Sequence, residues 1–99
     1  MATGVPFNST VTSTTEIRNP AGVLADPDTV EVTRTSPTGV KTVDEYNPGS
    51  ISRVSQGVYR VSWTASEMWY WMIEWAGVDP TFEAYTEPAE EVYVRRSGR

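Results

Sequence analysis

A single leucine, Leu24, stands in this chain beside thirteen valines and thirteen threonines. β-Branched and aromatic residues fit a pleated, half-buried surface and lose rotamer freedom in a helix, so the inventory selects sheet over helix. A helical bundle of 99 residues needs a leucine- and alanine-rich stripe on a 3.6-residue period, and no such stripe is present. The expected fold class is all-β.

The apolar spacing agrees. Val30 and Val32 alternate with Glu31 and Thr33, and Tyr59, Val61 and Trp63 alternate with Arg60 and Ser62. Extended, the segment from Trp69 to Trp75 sets Trp69, Trp71, Ile73 and Trp75 on one side and Tyr70, Met72 and Glu74 on the other. Val92 and Val94 alternate with Tyr93 and Arg95. Turn signals separate these runs. Asn19-Pro20-Ala21-Gly22 and Ser36-Pro37-Thr38-Gly39 suit type I turns, and Asn47-Pro48-Gly49 suits type II. Short strands between closely spaced turns read as a single all-β sandwich or barrel of about seven strands, antiparallel. They are expected near 7–17, 28–35, 39–46, 51–54, 58–64, 69–76 and 91–96, with a short strand or turn around 83–87. Residues 1–99 form one domain, with an N-terminal arm at 1–6 and a basic C-terminal tail at 95–99.

Much chemistry is excluded by what the chain lacks. Without cysteine there is no disulfide, thiolate zinc site or cysteine nucleophile, and without histidine the commonest general base and metal ligand are missing. The net charge of −5 argues against non-specific binding to nucleic acid or anionic membranes. No apolar run reaches the roughly 18 residues of a membrane span, and no secretory signal is expected at the N-terminus. Neither an enzyme nor a bound cofactor is expected.

Four features are candidates for function. Trp69, Trp71 and Trp75 read first as core, since each buries some 150–250 Å². On the opposite side, Tyr70 and Met72 suggest contact with a neighbour, because both residue types are enriched at interfaces. The carboxylates, among them Asp26 with Asp28 and Glu83 with Glu87, lack a calcium-loop pattern and read as solvated loop groups, with no metal site. Three of the eight basic residues, Arg95, Arg96 and Arg99, fall in the last five positions. They are a solvated tail or an anchor on a partner's acidic surface.

Read as strings, Gly57-Val58-Tyr59-Arg60-Val61-Ser62-Trp63, Trp69-Tyr70-Trp71-Met72-Ile73-Glu74-Trp75-Ala76-Gly77 and Ala89-Glu90-Glu91-Val92-Tyr93-Val94 have a counterpart. The chain resembles small immunoglobulin-like proteins encoded among the virion structural genes of tailed bacteriophages. Those share a G-x-Y strand, a W-Y-x-R-W-E strand and a closing A-x-E-E-x-x-F-x-V. Asp28-Thr29-Val30-Glu31-Val32-Thr33 followed by Ser36-Pro37-Thr38-Gly39 resembles their second strand and turn, so the likeness covers about residues 10–96. Met72 replaces an arginine of the pattern, Ile73 a tryptophan and Val92 a small residue, which keeps the core apolar and alters the outward face.

The resemblance implies an immunoglobulin-like β-sandwich and a non-enzymatic virion protein, assembled in the host cytoplasm and repeated in many copies. Its partners would be other virion proteins, with capsid decoration as the first expectation and a head–tail connector as the second. A carbohydrate- or cell-surface-binding module is the alternative from another class, and it requires solvent-facing tryptophans.

Overall fold

The computed structural model describes residues 3–46, 49–86 and 88–95. Its regular structure is entirely strand: β1 (Thr3–Pro6), β2 (Thr10–Glu16), β3 (Thr29–Thr35), β4 (Lys41–Glu45), β5 (Ser52–Ser55), β6 (Val58–Thr64), β7 (Trp69–Val78) and β8 (Glu90–Arg95). One sheet runs β1-β8-β7-β3-β4 and the other β2-β6-β5. All pairings are antiparallel except β1 with β8, which is parallel.

Period-2 alternation places the core between the two sheets. Val30 and Val32 from β3, Trp71, Ile73 and Trp75 from β7, and Val92 and Val94 from β8 point inward from the larger sheet. Val11 from β2 and Tyr59, Val61 and Trp63 from β6 meet them. Trp63 and Trp71 pack across the interface with centroids 6.2 Å apart. The predicted sandwich is therefore present, and three large indoles supply bulk that the scarce aliphatics do not.

Polar groups also enter this core; among the described residues Thr15 Oγ1 and Trp63 Nε1 are buried without a hydrogen-bond partner, and others are paired. The Trp75 indole donates to Ser13 Oγ at 3.0 Å, and Ser13 donates in turn to Glu90 at 2.9 Å. Arg34 donates to Asp44 at 2.9 Å, with both side chains only 15% exposed. Its guanidinium also lies 5.3 Å from the centroid of a Trp63 ring. Charge pairing and the ring face together offset the desolvation of this arginine.

Two of the three turns form as their sequences require, and Asn47 and Pro48 of the third lie outside the described residues. Gly39 N–H donates to the Ser36 carbonyl at 2.9 Å with φ at 90°, a backbone state that glycine adopts without steric cost. Asn19 Oδ1 accepts from the N–H groups of Ala21 and Val23.

Two expectations need correction. Part of the supposed arm, Thr3–Pro6, is β1, which brings the strands among the described residues to eight, in keeping with the expected about seven. The expected first strand at 7–17 begins only at Thr10. Phe7 N–H still bonds to the Arg95 carbonyl on β8, whereas Asn8 N–H bonds to the Ala65 carbonyl beyond β6. The chain thus changes sheets at Asn8, whose φ of 65° is a state that asparagine tolerates better than most residues. Around 83–87, Tyr85 makes an isolated bridge to Arg18.

Candidate functional site

Trp71 and Ile73 face inward, so their neighbours Tyr70 and Met72 project from the outer side of the larger sheet. They are 53% and 37% exposed, as the alternation requires. Antiparallel register sets Tyr70 opposite Tyr93 of β8, with ring centroids 5.0 Å apart.

Trp69 does not follow the alternation. Its register partner Val94 is fully buried, and a regular strand would bury Trp69 beside it. Instead φ at Trp69 is 93°. That conformation is rare and strained for a bulky side chain. The indole is 59% exposed and lies 6.2 Å from the Tyr93 ring. The expectation of Trp69 in the core is therefore overturned by a backbone twist at the start of β7. The entry to this strand is fixed from within, where the Trp71 indole donates to the Glu67 carbonyl at 3.0 Å. Glu67 also accepts from Thr38 at 2.8 Å, which ties this loop to the turn between β3 and β4.

Arg95 is exposed at the end of β8, on the same side as Tyr93. It is a strand residue opposite Pro6, which corrects its assignment to a tail. Arg96 and Arg99 lie outside the described residues. The structure thus brings Tyr70, Met72 and Arg95 to one face and adds Trp69 and Tyr93. Tyr93 was legible from the alternation of Val92 and Val94, whereas no residue signal announces positive φ at a tryptophan.

Exposed Glu91 stands opposite Met72, and exposed Glu74 follows on β7. The surface is therefore an aromatic centre with a thioether beside it and charge at its margin. Rich in tyrosine, tryptophan and arginine, it has the composition of the energetic centre of a protein–protein interface.

The acidic candidates have other work. Asp26, expected to be a solvated loop group, accepts two hydrogen bonds from Arg53, one from the Gly57 N–H and one from the Tyr59 hydroxyl. The Arg53 hydrogen bonds lead in holding its carboxyl down at about 2, against a smaller opposing effect of burial. Glu83 accepts from the Tyr85 hydroxyl at 2.6 Å, and Glu87 lies outside the described residues. Among the described residues no three acidic, histidine or cysteine side chains gather to hold a metal ion.

Comparison with family models, curated proteins and solved structures returns no match to this chain.

Proposed function

We propose that the chain is a non-enzymatic virion structural protein of a tailed bacteriophage, an immunoglobulin-like domain acting by protein–protein contact on the capsid surface. The observation that carries the contact reading is the outward cluster of Trp69, Tyr70, Met72 and Tyr93 on one sheet face. A strained tryptophan held in solvent costs folding free energy, and such strain is concentrated where a surface is used. Rigid aromatic rings also lose little entropy when a partner covers them, and methionine adapts its shape to that partner.

Strand order supports the immunoglobulin-like part. A variable-type sandwich sets strands B, E and D in one sheet and adds C′ to C, F and G in the other. Here β2-β6-β5 takes the first set of positions and β8-β7-β3-β4 the second. The virion assignment rests on the motif likeness across residues 57–63, 69–77 and 89–94.

Electron microscopy of particles lacking the protein tests the reading. Intact particles missing surface knobs are the expected result. Empty or tailless particles would move the protein to the head–tail junction, and particles that never contain it would refute the assignment.

A second reading, a carbohydrate- or cell-surface-binding module, has one observation in its favour: Trp69 faces solvent. Neighbouring rings are tilted by 44° and 45° to one another, so they form no shared flat platform for a sugar. Sugar-dependent shifts in tryptophan emission would favour this second reading.

A further inference from the structure

A sheet edge exposes unpaired N–H and C=O groups, and proteins blunt such edges with proline, charge, bulges or brevity. Among the described residues three of the four sheet edges are blunted. β1 is four residues long and ends in Pro6. β4 carries Lys41, Asp44 and Glu45 in five residues. β5 has four residues, includes Arg53, and shifts register between Arg53 and Ser55. The fourth edge, β2, runs straight for seven residues, Thr-Val-Thr-Ser-Thr-Thr-Glu, with its one charge at the end.

Backbone parity shows which groups it presents. Ile17 N–H bonds to Gly57, and the Ser9 carbonyl accepts from Ala65, so odd-numbered residues face β6. Arg18 exchanges both of its backbone bonds with Tyr85 on the other side, at 2.9 Å each. The main-chain groups of Thr10, Thr12, Thr14 and Glu16 therefore face the open edge. That opening has defined ends, closed by Tyr85 at Arg18 and by the change of sheet at Asn8.

It also has a roof. Ser13 of β2 lies against Trp75 of β7 and Glu90 of β8 across the core. β1 sits one strand beyond β8, where the smaller sheet has ended at β2. Val5 on β1 and Phe7 just after it are half-buried against the core from that overhang.

We propose that the β2 edge is a strand-acceptor site for an extended segment of another protein. The segment is about seven residues long and alternates apolar with polar side chains. Main-chain bonds to Thr10, Thr12, Thr14 and Glu16 hold it, as in other cases of strand addition. Its apolar residues cover Val5 and Phe7, and its polar ones continue the outward row of threonines. Strands are spaced about 4.8 Å apart, so the overhang of β1 leaves room for one added strand. A second copy pairing β2 to β2 would carry its own overhanging β1 into that space.

Amide exchange on the whole chain by NMR, with a blocked heptapeptide of alternating valine and threonine as the probe, tests this. In the free protein the amides of Val11, Ser13 and Thr15 should exchange slowly and those of Thr12, Thr14 and Glu16 fast. Peptide at about ten times its Kd should slow the second group about tenfold. A fully N-methylated peptide should have no effect. Thr12→Pro removes an edge-facing N–H without breaking the ladder to β6, so it should also abolish protection. Absence of protection by the unmodified peptide, or protection by the methylated one, would overturn the proposal. So would protection that rises with protein concentration alone, which would make a second copy the occupant.

Discussion

The Tyr59 hydroxyl donates a 2.9 Å hydrogen bond to Asp26 Oδ1, which joins a core side chain of β6 to the loop that precedes β3. The same carboxylate holds Arg53 and the Gly57 N–H. Three groups of the β5–β6 hairpin thus converge on one anion that lies 27 to 33 residues earlier in the chain.

Asp26→Asn should lower stability in a pH-dependent way. The folded pKa of about 2 lies below the ordinary 3.8. The ionised carboxylate therefore stabilises fully above pH 3.8, and this contribution is lost as pH falls through about 2. Its side chain is 37% exposed, so screening by solvent limits the pH-linked share to about 1 kcal/mol or less. Urea unfolding at about pH 6 and about pH 2 should show a gap between native and variant protein that narrows at the lower pH.

At the alkaline end, burial and then the Asp26 hydrogen bond push the Tyr59 phenol up from 10.0 to about 12. Stability tied to this group is complete below pH 10.0 and is lost as pH rises through about 12. Phenolate absorbance should reveal a late-titrating tyrosine that disappears in Tyr59→Phe. That variant should also lose about 0.5–1.5 kcal/mol at neutral pH, the net value of an ordinary hydrogen bond.

Gly57 has φ at 73°, and an added Cβ would sit 2.8 Å from both Ala25 N and Ile17 O. Gly57→Ala should therefore cost more than the ~1 kcal/mol of a simple glycine exchange. Thermal unfolding provides the measure. A melting temperature equal to that of the native chain would show that this crossing of three segments has slack.

The two neighbouring indoles should respond in opposite ways. Trp71→Ala empties the core and should cost about 3–5 kcal/mol. Trp69→Gly removes an exposed ring at a positive φ and should leave stability unchanged or raise it. Trp69→Phe should remove the red-shifted, quencher-accessible part of the emission and leave that of buried Trp63, Trp71 and Trp75.

On the proposed virion reading, particle attachment would separate apolar from charged contact. Tyr70→Ala combined with Met72→Ala should weaken incorporation to a similar extent at all salt concentrations. Arg95→Ala should weaken it mainly at low salt, because exposed charge pairs are screened over about 8–10 Å near physiological ionic strength. Equal salt dependence of the two variants would remove this division of roles.

The alternation of valines and aromatics was enough to place the layers, the inward indoles Trp71 and Trp75, and the outward Tyr70 and Met72. It works because a half-buried strand writes its two environments into successive residues. β1 escaped notice because four residues ending in proline carry no period, and their partner, β8, lies at the other end of the chain. Trp69 escaped because its orientation follows from a backbone torsion rather than from residue type. The Asp26 network joins positions 27 to 33 residues apart, so only the assembled fold distinguishes it from a solvated carboxylate.

Ser13 accepts from Trp75 and donates to Glu90, so one hydroxyl of the smaller sheet is held by two neighbouring strands of the larger one. Apolar contacts between two flat layers are non-directional and tolerate sliding. A hydroxyl held by an indole and a carboxylate does not. A one-residue slip of β2 would carry Ser13 to the outer face and turn Val11 toward water, leaving the indole and the carboxylate without their partner. Alignment of the two layers is therefore written in the direction of two hydrogen bonds.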